Sequence, residues 1–155
     1  MTDQKTRMMQ VSAIEAGTVI DHINTKRVFD VAAILKLQDV EENVLIGINL
    51  DSRHGPGKKG IIKVGGRRLT QEEVSKIALI APDATLNIIE NYEVVKKLDV
   101  QVPDVIEGAI KCFNPNCVSN HQNIVNRFYV VKRDPLRIRC HYCERHMGPN
   151  DIQLL

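Results

Sequence analysis

The chain has 155 residues, of which 43% are hydrophobic and only 4% aromatic, so any core is built from aliphatic side chains. Its formal net charge of +2 is too small to indicate a surface for nucleic acid or for an acidic membrane. No stretch approaches the roughly 20 apolar residues of a membrane span, and no signal-like segment follows Met1, so a cytoplasmic protein is expected.

The first fifty residues predict strands around one helix. Residues 10–17 and 18–23 are typical of two strands separated by a glycine turn. An apolar stripe at i, i+3, i+4 and i+7 then predicts a helix from about Thr25, and its members are Val28, Val31, Ala32 and Leu35. Clean alternation over residues 43–50 predicts a strand with four apolar side chains on one face, namely Val44, Ile46, Ile48 and Leu50.

The next fifty residues repeat this organisation. Residues 51–60 contain three glycines and a proline and predict a surface loop, which is followed by a strand over 61–64. Thr70 with Glu73 forms the pattern of a capping box, so a helix is expected to begin there and to end at Pro82. Its inward stripe is Val74, Ile77, Ala78 and Ala81, and strands are predicted at 84–90 and 92–95.

This order of elements predicts an α+β fold over residues 1–100. The expected architecture is a ferredoxin-like sandwich, in which one antiparallel sheet is covered by two helices. The pattern breaks near residues 98–103, so 101–103 are expected to be a linker. Residues 104–155 then carry strand-like runs at 105–111, 127–132 and 136–139, and this piece is too small to bury much surface unaided.

Four cysteines, all of those in the chain, lie within this C-terminal piece. Their spacing is C-x4-C-x22-C-x2-C, formed by Cys112, Cys117, Cys140 and Cys143. Each close pair can present two thiolates from one turn, which is how a tetrahedral four-cysteine zinc site is built. Two disulfides are the competing interpretation, but they suit a secreted chain. The spacing therefore favours a small β-rich domain that one zinc ion helps to fold.

The four thiolates also indicate what the metal does. Catalytic zinc keeps an open position for water, whereas four cysteines close the shell, so this zinc is predicted to be structural. His141 lies between Cys140 and Cys143 and is an alternative ligand. The chain shows no phosphate-binding loop of the Walker type, no GxGxxG and no GxSxG, and residues 55–60 are interpreted as a hairpin loop.

Several polar residues interrupt apolar strands in the first hundred residues. Lysines, short polar groups and a tyrosine together suit a nucleotide, because ammonium groups can bind phosphates and the others can bind ribose and base. Each of them taken alone is more typical of an outward-facing strand position than of a binding site. The residues in question are Asp21, His22, Lys58, Lys59, Lys63, Asn87, Tyr92, Lys96 and Lys97.

Basic residues cluster in the C-terminal piece, at Lys132, Arg133, Arg137 and Arg139. A zinc-ribbon nucleic-acid-binding protein is therefore the alternative function, and a protein interface is the other interpretation. Residues 1–103 carry 14 basic and 14 acidic side chains, and residues 104–155 carry 7 and 5. Four thiolates with Zn²⁺ would cancel the remaining +2, which favours the protein interface.

The motifs of both halves together resemble one known family. The segments GTVIDHI, IGINL and APDATLNIIENYEVV, followed by CFNPNC and CHYCE, closely resemble the regulatory chain of aspartate carbamoyltransferase from about Val11 to the C-terminus. Two positions depart from that family: Ser12 stands where relatives carry an acidic residue, and Met8 stands near a family lysine.

The resemblance implies a regulatory chain of pyrimidine biosynthesis without catalytic activity of its own. It implies that residues 1–100 bind CTP, UTP and ATP and form a homodimer. By position, polar nucleotide contacts are implied at Asp21, His22, Lys63, Asn87, Tyr92 and Lys97, and apolar or backbone contacts at Ala13, Ile14, Val19, Ile89 and Val94.

The resemblance also implies an assembly. The four cysteines match the zinc ligands, and the zinc domain at 104–155 is implied to dock on the catalytic chain through Asn116, Arg133 and Glu144. Three regulatory dimers would bridge two catalytic trimers in a dodecameric holoenzyme, with no nucleic-acid or membrane partner.

Overall fold

The structure is a computed structural model that describes residues 12–53 and 57–155. Met8 and the first two residues of the strand predicted at 10–17 lie outside these ranges, as does part of the loop predicted at 51–60. Among the described residues, no helix is long and apolar enough to cross a bilayer.

The N-terminal part is one antiparallel sheet of five strands in the order β2-β3-β1-β4-β5, with two helices on one face. This confirms the predicted fold class, with β5 as a fifth strand at one edge. In chain order the elements are β1 (Gly17–Ile23), α1 (Val28–Ile34), β2 (Val44–Asp51), β3 (Lys58–Gly65), α2 (Gln71–Ile80), β4 (Thr85–Glu90) and β5 (Glu93–Asp99).

The main core lies between the helices and one face of this sheet. The predicted stripe of α1 is confirmed, since Val28, Val31 and Leu35 are fully buried and Ala32 packs beside them. The residues predicted to open this helix form a 3-10 turn, Thr25–Arg27, which is capped by the Asn24 side chain. The sheet contributes five side chains to the same buried cluster as the α1 stripe, namely Ile20, Ile23, Ile62, Val64 and Leu86.

The second helix begins and ends as the sequence predicts. The Glu73 N–H donates to Thr70 Oγ1, and the Thr70 N–H donates to Glu73 Oε2, both at 3.2 Å. This capping box satisfies two of the backbone donors that a helix N-terminus leaves without a partner. The inward residues Ile77, Ala78 and Ala81 are buried, and Val74 packs against them.

Two strand predictions need correction. The prediction of a strand at 10–17 is wrong for the described residues 12–16, which pair with no strand. Strand β1 begins only at Gly17, whose φ is 138°. In β2 the expected apolar face is interrupted, because the register shifts between Gly47 and Leu50 and Asn49 has a φ of 57°. Ile46, which precedes the shift, and Ile48 are 43% and 41% exposed, because β2 is an edge strand of this sheet.

Two strand boundaries also differ from the predicted ones. Strand β3 begins at Lys58, inside the predicted loop, and β5 continues to Asp99, well beyond the predicted end at Val95. Both extensions are mostly polar, with Leu98 as their one large apolar residue, so hydrophobic periodicity carried little signal for them. Their pairing with apolar neighbouring strands decides their conformation.

The C-terminal part is a four-stranded antiparallel sheet in the order β10-β9-β8-β6 and a separate β11-β7 pair. The strand predicted at 105–111 is broken by Gly108, whose φ is 66°. The buried side chains of this part include Phe128, Ile138 and Met147. The strands are β6 (Val105–Glu107), β7 (Ile110–Lys111), β8 (Arg127–Arg133), β9 (Leu136–Cys140), β10 (His146–Met147) and β11 (Gln153–Leu154).

Candidate metal centre and effector face

The four cysteines meet at one point of the C-terminal part. Cys112 follows β7, Cys117 precedes a 3-10 turn, Cys140 ends β9, and Cys143 lies in the turn before β10. Their sulfur atoms all lie within 4.8 Å of one another. Three of the four side chains are buried, and Cys143 is half-buried.

The sulfur spacing fits a bound metal and contradicts disulfides. The Sγ atoms of Cys112 and Cys143 are 3.7 Å apart, and those of Cys117 and Cys140 are also 3.7 Å apart. A tetrahedral zinc ion at about 2.3 Å from each sulfur would place the sulfurs about 3.8 Å apart, whereas a disulfide needs about 2.05 Å. The competing disulfide interpretation is therefore wrong, since all four cysteines are free.

The first cysteine turn is held by amide side chains. Asn114 Oδ1 accepts the Asn116 N–H at 3.1 Å, and the Asn114 carbonyl accepts the Cys117 N–H at 3.0 Å. Asn120 Nδ2 donates to the carbonyls of Cys112 and Asn114 at 2.9 and 2.8 Å. This network shapes the first turn, and the Asn114 side chain also bonds to Cys143 in the second turn.

His141 does not join the cluster. Its Nδ1 lies 2.8 Å from the Tyr129 hydroxyl, and its ring packs edge-on against Tyr129 and Tyr142. Within the described residues, the only group of cysteine, histidine and carboxylate atoms placed to hold a metal consists of the four cysteines. The alternative in which His141 replaces a cysteine is therefore not supported.

The thiols differ in how readily they ionise. Burial raises the pKa of Cys112 and of Cys140. Burial acts in the same direction on Cys143, but hydrogen bonds from the Arg145 backbone N–H and the Asn114 side chain outweigh it and lower its pKa to about 7. A metal binds thiolates and so releases the protons of the buried thiols, which means that metal affinity falls in acid.

The second candidate site lies on the face of the five-stranded sheet that the helices leave uncovered. Val19 in β1 pairs with Lys63 in β3 and with Asn87 in β4, and Asn87 in turn pairs with Lys97 in β5. Directly opposite residues of antiparallel strands share one face. Lys63, Val19, Asn87 and Lys97 therefore form one row across four strands, and we call the surface around this row the open face.

A small apolar cluster supports the open face. Ile14, Val19 and Ile89 are buried together and pack against Leu45 and Ile61, apart from the main core. Ile14 belongs to the segment 12–16, which the sequence predicts as a strand. In the structure this segment instead covers part of the open face and brings main-chain groups beside the row.

Lys63 is the most buried charged residue of the row, with 6% of its surface exposed. Its ammonium donates to the Ser12 carbonyl at 2.8 Å, which ties the row to the segment 12–16. Burial lowers the pKa of Lys63, although the nearby Asp21 carboxylate opposes this effect. A partly desolvated ammonium favours an adjacent polyanion more strongly than a solvated lysine does.

Asp21 and His22 lie at the end of β1. The Asp21 carboxylate is 2.9 Å from Lys59 Nζ and accepts the His22 backbone N–H at 2.7 Å. His22 has a φ of 57°, and its Nδ1 lies 3.0 Å from Thr85 Oγ1. Thr85 is absent from the positions predicted from the sequence, because only the pairing of β1 with β4 brings it to Asp21.

The pKa of Asp21 is lowered from its usual value of 3.8: burial opposes the shift, and the Lys59 ammonium with the His22 N–H outweighs it. Asp21→Asn keeps an oxygen for the His22 N–H and removes the charge. We expect it to reduce the free energy of unfolding at pH 7 by less than about 1 kcal/mol, because the ion pair is partly exposed. Urea unfolding of both proteins measures this difference.

The sign of the pH dependence follows from linkage. A carboxylate with a folded pKa below 3.8 stabilises the fold above that value and loses its contribution as the pH falls through the folded pKa. The difference between wild type and Asp21→Asn should be constant from about pH 8 to about pH 5 and shrink only in stronger acid. A difference that changed near pH 6.5 would assign the effect to a histidine.

The remaining predicted nucleotide positions frame one corner of the open face. Tyr92 lies in the turn between β4 and β5 and is 66% exposed, and Val94 lies in β5 and is 57% exposed. The Tyr92 N–H donates to the Glu15 carbonyl at 2.9 Å, so this turn is joined to the segment that carries Ala13 and Ile14. The structure thus brings the predicted positions to one face, with Asp21 and His22 at its far end.

The predicted interface residues do not all lie together. Asn116 and Glu144 are exposed in the two cysteine turns, and Glu144 has a φ of 60°. Arg133 lies at the opposite end of the β8–β9 hairpin, because Arg133 pairs with Leu136 whereas Phe128 pairs with Cys140. Its guanidinium donates to the Val102 carbonyl at 2.5 Å and to the Asp104 carboxylate, so it contacts the predicted linker and the residue after it.

Comparison with known proteins covers nearly the whole chain. Residues 9–101 match the family model described as aspartate carbamoyltransferase regulatory chain, allosteric domain, and residues 104–153 match its metal binding domain. Among similar proteins, the aspartate carbamoyltransferase regulatory chain of Pyrococcus abyssi is 52% identical over 146 residues, which are 93% of this chain and 95% of that protein. That of Phocaeicola vulgatus is 44% identical over 155 residues, which are 100% of this chain and 99% of that protein.

Proposed function

The chain belongs to the family of aspartate carbamoyltransferase regulatory chains, and we propose that it binds CTP, UTP and ATP on the open face of its sheet. It is accordingly a regulatory, non-catalytic subunit whose partner is a catalytic chain. The alternative of a zinc-ribbon nucleic-acid-binding protein is not favoured.

One observation carries the nucleotide proposal, namely the row in which two lysines and an asparagine stand in register across four strands. The ammonium groups of Lys63 and Lys97 suit a triphosphate. Asp21 can accept ribose hydroxyls, and the apolar side chains of Val19, Ile89 and Val94 can pack against the base and sugar. Main-chain groups near Ala13, Ile14 and Tyr92 can read the edge of the base.

We propose that the four cysteines hold one Zn²⁺ per chain. Four thiolates close the coordination shell, so the ion would supply no catalytic chemistry and would act by joining the two cysteine turns. The chain's own residues shape the two cysteine turns. The Asn114 network shapes the first turn, and the β9–β10 connection shapes the second. In this proposal the metal is a condition for folding residues 104–155.

We also propose how the subunit assembles. Residues 1–100 would form the effector and dimerisation domain, 101–103 a linker, and 104–155 the domain that contacts the catalytic chain through Asn116, Arg133 and Glu144. Three such dimers would bridge two catalytic trimers. Nucleotides would then regulate by linkage, because a ligand shifts the equilibrium between two quaternary states only by its differential affinity, typically about 1–3 kcal/mol.

A calorimetric titration tests the nucleotide proposal. The zinc-loaded full-length chain should bind CTP saturably, and ATP should displace it, because both carry the triphosphate that the row suits. Reconstitution with catalytic trimers should then make catalysis respond to both nucleotides. Absence of binding by the free chain, together with kinetics of the reconstituted holoenzyme that ignore both nucleotides, would refute the proposal.

A further inference from the structure

One arginine of the allosteric domain contacts the backbone of the metal-binding domain near the C-terminus. Arg27 Nη2 donates to the Pro149 carbonyl at 2.9 Å, and the Ile152 carbonyl lies 3.5 Å from the same nitrogen. Its Nη1 donates to the Asp30 carboxylate at 2.9 Å, which orients the guanidinium. A single side chain therefore joins the start of α1 to a turn 122 residues later in the chain.

Arg27 is also close, along the chain, to the candidate nucleotide site. Strand β1 carries Asp21 and His22 and ends at Ile23, and Arg27 completes the 3-10 turn that follows. Asn24 holds that turn, since its Oδ1 accepts the Lys26 N–H at 3.0 Å and its carbonyl accepts the Arg27 N–H at 2.8 Å. A shift of the end of β1 would therefore move Arg27 with it, because no flexible loop lies between them.

The junction of the two domains is not filled on this side. A cavity of about 450 Å³ lies beside the arginine, and Ile34, Lys36, Lys76, Ile80 and Leu154 are among its lining residues. Ile80, Ile152 and Leu154 line this cavity and belong to one hydrophobic cluster that continues from the allosteric domain into the metal-binding domain, and beside it the Arg27 side chain adds hydrogen bonds to two carbonyls. Hydrogen bonds of this kind can exchange for water, whereas closely packed apolar side chains resist separation.

We propose that Arg27 is a positioning residue that transmits nucleotide occupancy of the open face to the metal-binding domain. Its guanidinium holds the Pro149 and Ile152 carbonyls in one quaternary state and changes these bonds in the other, which provides the differential contact that coupling between two sites requires. This inference rests on the proposed function, and it adds a residue that contacts neither nucleotide nor metal.

The test compares Arg27→Met and Arg27→Lys with the wild-type full-length chain. Arg68→Met is the matched control, because Arg68 is an exposed arginine of the same domain that pairs with Glu90. For each protein we would measure CTP binding by calorimetry and hydrogen exchange of the Asp151 and Leu155 amides. We would also measure the effector kinetics of the holoenzyme reconstituted with it. Both amides are hydrogen-bonded, to Gly148 and Ala109 respectively.

Arg27→Met should leave the CTP dissociation constant within about twofold of wild type while the effector response of the holoenzyme falls about fivefold or more, the lower range of allosteric coupling. Exchange of the Asp151 and Leu155 amides should become faster in the free chain. Arg27→Lys should show the same loss, because an ammonium cannot reproduce the fork geometry of the guanidinium. Arg68→Met should behave as wild type.

Two results would overturn the role of Arg27. One is a wild-type effector response in the Arg27→Met holoenzyme, and the other is a response that falls only in proportion to CTP affinity. Failure of the proposed function looks different, since the wild-type chain would then bind no nucleotide. In that case unchanged amide exchange in Arg27→Met would refute the contact between the domains, because this measurement needs no nucleotide.

Discussion

Replacing Cys140 with serine is expected to abolish association with catalytic chains while nucleotide binding is largely retained. The variant removes one of four thiolates that lie within 4.8 Å of one another, and metal binding supplies about 10 kcal/mol of folding free energy in small zinc domains. The metal-binding domain should therefore unfold, whereas the open face belongs to a separate sheet. Metal analysis measures the zinc content, native mass spectrometry measures association with catalytic trimers, and calorimetry measures CTP binding.

His141→Asn is the matched control for the metal prediction. His141 lies between two of the ligands, but its ring bonds to Tyr129. This variant should keep one zinc ion per chain and should fold as the wild type does. Assembly of Cys140→Ser chains with catalytic trimers, or assembly after chelation, would show that the metal does not fold the interface.

Replacing Lys63 with methionine is expected to weaken CTP binding by about 10- to 100-fold, which corresponds to losing one charge-assisted hydrogen bond of about 1.5–3 kcal/mol. Methionine fills a similar volume, so the 6% exposed position stays packed. Methionine cannot replace the 2.8 Å hydrogen bond from the Lys63 ammonium to the Ser12 carbonyl, so we also expect a loss of about 1 kcal/mol in the free energy of unfolding, smaller than the loss in binding. Calorimetry and urea unfolding together separate binding from folding.

Two adjacent lysines provide the control for this prediction. Lys97 pairs with Asn87 and belongs to the row, whereas Lys96 pairs with Ile88 on the opposite side of the sheet. Lys97→Met should weaken CTP binding, and Lys96→Met should leave it unchanged, although both remove one positive charge. Equal weakening by the two variants would indicate a diffuse electrostatic effect and would contradict the row as the binding site.

The binding of triphosphate at Lys63 also has a predictable pH dependence. A phosphate that pairs with the ammonium favours its protonated form, so affinity should fall as the pH rises through the lowered pKa of Lys63 in the free chain. Lys63→Met should show no such fall. This difference provides a readout that a loss of structure would not produce.

Much of this molecule was predictable from local sequence signals. The two close cysteine pairs, the capping box at Thr70 and Glu73, and the apolar stripe of α1 each involve residues within one or two turns of each other. Such signals survive in the structure because the short chain segments between the residues leave little freedom. The resemblance to the regulatory-chain family was carried by the same kind of contiguous motifs.

The remaining features were decided by pairing between distant segments. Lys63, Val19, Asn87 and Lys97 form a row only through the register of four strands, and the shift between Gly47 and Leu50 cannot be seen in the alternating pattern of β2. The contact of Arg27 with Pro149 joins residues 122 positions apart. Sequence periodicity states which side chains share a face, but the relative placement of two strands or two domains depends on how all their surfaces pack together.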